Sequence, residues 1–169
     1  MSLIQCTQKL LKELKREPYQ EKTMPSQLGD WHANLLYLER KKCVLFTQNE
    51  TLYSFFVPGL KKNDFEHFEE CFRQGLFRCL INEEFEQSQI EQILSGYAEI
   101  KIAKTSNRSV LGSMNDLVFQ LKYRINASGG LNHLNLDLTI QELNRVPMSA
   151  IDYHFSIEKL KSRLSQYHD

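Results

Sequence analysis

Residues 32–57 constrain this chain more tightly than any other stretch, because three segments rich in Leu, Val, Phe and Tyr follow one another with little polar sequence between them. "HANLLYLE" at 32–39, "CVLFTQ" at 43–48 and "TLYSFFV" at 51–57 each read as a strand, and the breaks "RKK" and "NE" suit hairpins. The expectation is an antiparallel meander. Pro58 and Gly59 end it, and a helix is predicted from about Asn63 or Asp64, either of which can accept from unpaired backbone N–H groups. Phe65, Phe68, Phe72, Leu76 and Leu80 recur at three or four residues, one helical face set against the sheet.

Elsewhere the pattern alternates between short strands and helices. "LIQCT" reads as a strand, followed at once by a helix capped by Thr7 with Leu10, Leu11 and Leu14 on one face. Residues 17–30, with Pro18, Pro25 and Gly29, form a loop longer than the usual connection, the kind that is either mobile or functional. Ser88 is expected to cap a helix carrying Ile90, Ile93, Leu94 and Tyr97, and "AEIKIAK" at 98–104 alternates like a strand. From about Ser106 to Asn126 a helix places Val110, Leu111, Met114, Leu117, Val118, Leu121 and Ile125 on one side. A T-x-x-E pattern at Thr139 and Glu142 predicts a short helix over 139–145, and Ser156 one with Ile157, Leu160 and Leu164 inward. Together these elements predict a single α+β domain over residues 1–169, an antiparallel meander-containing sheet packed with several helices.

Composition narrows the function classes. Lys plus Arg equals Asp plus Glu at 21 each, which removes the net positive charge that accompanies strong nonspecific nucleic-acid binding and leaves room only for a local patch. Cys6, Cys43, Cys71 and Cys79 form no C-x-x-C pair and are expected as free core thiols. No run approaches about 18 apolar residues, so no membrane span is expected and the cytoplasm is the default location. His67, His133, His154 and His168 lack metal-type spacing, and H-E-x-x-H, G-x-S-x-G and P-loop patterns are missing; neither a metal nor a cofactor is expected.

Two polar clusters stand out. In "SNRSVLGSMND", positions Arg108, Gly112, Asn115, Asp116 and Phe119 share one side of the predicted helix. A glycine in a helix interior costs about 1 kcal/mol relative to alanine, which suggests that another backbone or a ligand approaches Gly112 closely. Free N–H groups near Arg108 and Ser109 can bind a carboxylate or phosphate, with the Arg108 guanidinium as a bidentate donor. A structural explanation competes: Ser106 or Ser109 caps the helix, Arg108 pairs with Asp116 or a surface acid, and Gly112 lets two elements pack. The second cluster, "DWHANL", sets Trp31, the only tryptophan, beside His32 and Asn34 at a strand entrance. There His32 is a candidate acid or base, or simply one of three packed and hydrogen-bonded residues. Weaker candidates are "ERKK" at 39–42, a basic hairpin tip that is more readily a solvated turn than a phosphate contact with only three positive charges, and Asn144, Arg145 and Pro147, which can border a pocket or end a helix.

Through "WHANL", "ERKKCVLFTQNETLYSFFVPGLKKNDF" and "KTSNRSVLGSMNDL" the sequence resembles a bacterial and phage family described as a domain of unknown function, of the DUF6933 type. The likeness runs from "LIQCT" to "LNRVPM" and implies a cytosolic single-domain protein, with no activity, cofactor or catalytic assignment attached. The leading expectation is a noncatalytic binding or interaction module, with a polar pocket around residues 106–119 for an anionic small molecule or a protein partner. One alternative is a small hydrolase or transferase acting on an anionic substrate, with His32 as acid or base, Asp116 orienting it and Arg108 holding the anion. The other is a nucleic-acid adaptor.

Overall fold

The computed structural model describes residues 1–22, 24, 26 and 28–166, so Pro25 and His168 of the readings above lie outside the described residues. Within them the meander is β2 (Trp31–Leu38), β3 (Lys41–Gln48) and β4 (Ser54–Val57), paired antiparallel in that order. The third strand is shorter than its apolar run because Gln48 claims the residues before it. The Gln48 carboxamide oxygen accepts from the backbone of Glu50 at 3.0 Å and of Thr51 at 2.6 Å, and Leu52 turns through a left-handed φ of 61°.

The meander is only half of the sheet. β1 (Ser2–Cys6) lies beside β2, and β5 (Ile100–Lys104) beyond it, both pairings parallel, giving the order β4-β3-β2-β1-β5. Parallel neighbours need a crossover rather than a hairpin. Here α1 (Gln8–Leu14) and the chain up to Asp30 carry β1 back to the start of β2. The end of that long connection is tied down: Leu28 is buried, its carbonyl accepts from the Gln48 carboxamide at 2.6 Å, and Asp30 accepts from the Leu3 amide at 2.8 Å.

Alternation along β2 sends Trp31 and His32 to opposite faces of the sheet. On the Trp31 face lies an aromatic cluster. Trp31 meets Phe55 and Phe72 edge-on at 5.5 and 5.2 Å, Phe46 stacks on Phe55 at 5.0 Å, and the indole N–H donates to the Tyr97 hydroxyl at 2.8 Å. Phe72 belongs to α3 (Phe68–Asn82), which α2 (Lys62–Glu66) joins with a break at His67 in place of one continuous helix. On the other side α5 (Arg108–Ala127) packs against β2 and β3, while α6 (Leu136–Leu143) lies along β4 in contact with both α3 and α5.

Several helix starts differ from expectation, in three of them because a neighbouring side chain reaches the N–H groups first. Asn107 caps α5 in place of Ser106 or Ser109, Asn135 caps α6 in place of Thr139, and Gln89 accepts from the Glu86 amide at the start of α4 (Gln87–Ser95) in place of Ser88. Thr7 precedes α1 without capping it, its hydroxyl donating to Asn34 at 2.9 Å. Ser156 begins α7 (Ser156–Ser165) and likewise turns its hydroxyl to a side chain, Asn144, at 2.8 Å. All four cysteines are free, and burial pushes the half-buried Cys71 thiol up to about 11. That holds the thiol in its non-nucleophilic form near neutrality.

Candidate functional site

In "DWHANL" Trp31, His32, Ala33 and Leu35 are buried, and Asp30 and Asn34 are half-buried. Trp31 belongs to the aromatic core, and Asn34 is engaged by Thr7. His32 is fully buried on the opposite face, where its Nδ1 lies 2.7 Å from Asn49 Oδ1 and its Nε2 lies 2.6 Å from Thr105 Oγ1. The Asn49 amide group donates to Gln5 at 2.7 Å, which leaves its oxygen as the acceptor. His32 therefore donates from Nδ1, accepts at Nε2 from the Thr105 hydroxyl, and is a neutral imidazole; burial, the dominant influence, lowers its pKa. Both ring nitrogens are occupied, so His32 presents neither a free base nor a free acid to a substrate.

His32 is one member of a polar row that crosses the sheet. Register places Gln5, His32, Thr47 and Ser54 side by side on β1 to β4, with Thr47 and Ser54 hydroxyls 2.8 Å apart. Asn144 closes the row at the β4 edge. Its amide donates to the Ser54 carbonyl at 2.7 Å and its oxygen accepts from the Ser54 N–H at 2.8 Å, satisfying edge groups as another strand would. Of the three residues considered as a pocket border, Asn144 is thus a structural tie, and Arg145 forms a two-pronged ion pair with the buried Glu83 at 2.7 and 3.0 Å.

The stripe on α5 fares differently. Arg108, Ser109, Gly112, Asn115, Asp116 and Phe119 are all exposed. A methyl group at Gly112 would meet no atom within 4 Å, which overturns the inference of a close neighbour there. The N–H groups offered to an anion are partly taken, since Asn107 Oδ1 accepts from Ser109 at 3.0 Å and Val110 at 3.1 Å. Among the described residues neither Arg108 nor Asp116 forms an ion pair. Asp116 lines a shallow groove with Ser113, Phe119, Met148 and Tyr153, a set that includes none of Trp31, His32 and Asn34. The two clusters do not share that groove.

What the fold does gather is positive charge. The β2–β3 hairpin tip, the end of α1 and the start of α2 enclose a groove of about 580 Å³ whose lining includes Lys15, Arg40, Lys41, Lys42, Lys61 and Lys62, against the two carboxylates Glu13 and Glu66. Leu14, Leu60 and Phe65 form its buried apolar floor. Lys42 is paired with Glu13 at 2.5 Å and Lys41 donates to Asn132 at 2.8 Å, while no ion pair among the described residues engages Lys15, Arg40, Lys61 or Lys62.

The tip that carries Arg40 is held in place at a conformational cost. Glu39 and Arg40 both adopt positive φ, 50° and 66°, the two-residue hairpin geometry usually given to Asn and Gly. The Glu39 carboxylate accepts from the Leu131 amide at 2.9 Å, beyond the C-terminus of α5. That bond and the Lys41–Asn132 contact explain why residues poorly suited to a left-handed turn stay there. Leu60 donates to the Lys42 carbonyl at 2.8 Å, which brings Lys61 and Lys62 alongside the tip.

Of these cations, Arg40, Lys41 and Lys42 stand together in "ERKK". Lys61 and Lys62 stand nineteen or more residues further on, and Lys15 lies before the long connection, so only the crossover and hairpin geometry unite them. The visible signal was the recurrence of short basic pairs, "KR", "RKK" and "KK", each directly beside a strand or helix end.

Residues 3–159 match a family model described as a domain of unknown function (DUF6933). No curated protein and no solved structure matches the chain.

Proposed function

The chain belongs to the DUF6933 family, and from that membership, which carries no activity, we propose that it is a noncatalytic binding module whose basic groove takes up a ligand bearing phosphate groups. One observation carries the reading: six cationic side chains from three separate segments converge on a single concavity, and among the described residues only one of them, Lys42, is in an ion pair. In a protein of zero formal net charge such convergence concentrates a positive potential locally. Lysines at the first turn of α2 also stand against the helix dipole, so helix stability does not account for their position. The apolar floor beside them suits a ligand with both a charged and a flat apolar part.

The noncatalytic part of the reading rests on the lining of the groove, in which the described residues include no histidine, cysteine or serine. Calorimetric titration with inorganic tripolyphosphate and with a short single-stranded oligonucleotide, each at low and at moderate salt, tests the proposal. Saturable binding that weakens steeply with salt, and that vanishes in Arg40→Glu/Lys61→Glu/Lys62→Glu, is expected. All three positions are exposed, so the variant should melt like the parent. Equal binding by parent and variant would refute the assignment, and uptake of the oligonucleotide alone would favour a nucleic-acid adaptor.

A further inference from the structure

Apart from Met24, the three most exposed large apolar side chains of the described residues are Phe119, Tyr123 and Tyr153, at 77%, 72% and 71%. Phe119 and Tyr153 line the same shallow groove, and Phe119 and Tyr123 lie one turn apart on the outer face of α5. A contiguous exposed aromatic surface of this kind marks an interaction face rather than scattered surface variation.

The outer face of α5 has an internal symmetry. Arg108, Gly112, Asn115, Asp116, Phe119 and Tyr123 share one side of the helix, opposite the buried Val110, Met114, Leu117, Leu121 and Ile125. The pairs Arg108 and Tyr123, Gly112 and Phe119, and Asn115 and Asp116 all have the same midpoint, the peptide between 115 and 116. Each pair is chemically complementary: a cation with an aromatic ring, an open hole with a bulky knob, an amide donor with a carboxylate.

We propose that this face binds a second copy of the same chain, two α5 helices packing antiparallel about a two-fold axis at the 115–116 peptide. A two-fold contact requires a surface that complements itself, each residue meeting its counterpart twice. In this register Phe119 of one copy enters the space over Gly112 of the other, where a side chain of this protein meets nothing within 4 Å. Arg108 lies over the Tyr123 ring in a cation–π contact, and Asn115 donates to Asp116 across the axis. Among the described residues neither Arg108 nor Asp116 forms an ion pair within the chain, which leaves both groups for this use. From Arg108 to Tyr123 the helix spans about 22 Å, and Tyr153 widens the face on one side.

Sedimentation velocity of the full chain, from low micromolar to several hundred micromolar, reads the equilibrium. The expected result is a monomer–dimer transition that Phe119→Asp and Gly112→Leu each weaken by roughly thirtyfold or more, the scale of a central interface residue. Circular dichroism and melting of the dilute variants should remain those of the parent or better. Arg108→Tyr and Tyr123→Arg should each weaken the dimer singly and restore it together, because the swap recreates the same two contacts. A chain that stays monomeric throughout overturns the proposal, as does a dimer indifferent to Phe119→Asp and Gly112→Leu. A dimer that the double swap fails to restore overturns the antiparallel register.

Discussion

Helices α3 and α5 each carry one glycine in mid-helix, and the two glycines do opposite things. At Gly75 a methyl group would lie 2.5 Å from Cε2 of Phe55, a ring locked between Trp31, Phe46 and Phe72; at Gly112 it would meet nothing. The absence of a side chain brings α3 down onto the aromatic face of the sheet. On α5 it opens a depression toward solvent. The same residue type, at the same cost of about 1 kcal/mol in helix propensity, signals close packing in one helix and an unfilled surface in the other. A helical glycine marks a close approach where its side of the helix faces the core, as at Gly75, and marks none at Gly112.

The contrast predicts effects of decreasing size. Gly75→Ala should destabilise the fold by about 1–3 kcal/mol, since an overpacked aromatic core must shift backbone or ring. In a denaturant-unfolding cycle with Phe55→Leu, the double variant should recover part of the loss; strictly additive losses would show that the two residues do not press on one another. On the α5 side of the sheet a polar row containing His32 crosses the otherwise apolar packing, and its weak point is pH. His32 is neutral in the fold with a lowered pKa, so the unfolded chain binds its proton first. Stability should hold above the ordinary value of 6.5 and fall below it, by up to about 1.4 kcal/mol per pH unit until the folded pKa is reached. His32→Gln should remove that slope in melting curves taken between pH 7 and 5. The carboxyl of Asp30, raised by burial, acts in the opposite sense and nearer the carboxylate range, its protonation relieving a cost of the folded state.

Smaller effects belong to the exposed face. In dilute protein Gly112→Ala should raise stability by about 0.5–1 kcal/mol, the helix-propensity gain with no clash to offset it. A loss of stability there would mean that α5 is covered in the monomer. Asp116→Asn should change stability by less than about 0.5 kcal/mol, as surface substitutions without partners do. Thermal melts in low salt suffice for both.

Much of the fold was legible because periodicity reports burial directly. The positions of β1, β2 and β3, the strand before α5, and the buried side of α5 follow from which residues are apolar and at what spacing. Helix starts were less legible: Ser, Thr and Asn compete within a few residues of one another, and geometry chooses Asn107 and Asn135. The parallel half of the sheet was not visible, because pairing between β1, β2 and β5 depends on where a long connection returns. The candidate site shows the same division. Arg108, Gly112 and Asp116 were correctly placed on one stripe, but the inference that the stripe faces a close neighbour failed at Gly112. Trp31 and His32, adjacent in sequence, are buried on opposite faces of the sheet with partners for both, and Asn34 is half-buried against Thr7, an arrangement that only the strand's alternation and its neighbours decide.

The amino-acid order alone decided most of the apolar faces that are buried and the kind of element that carries each, because burial and backbone preference act over a few neighbouring positions. Tertiary structure alone decided that Lys15, Arg40 and Lys61 meet, that the His32 ring is closed off, and which glycine faces the core. Those outcomes depend on crossover, register and the side of a helix turned inward, and long-range packing sets each of them.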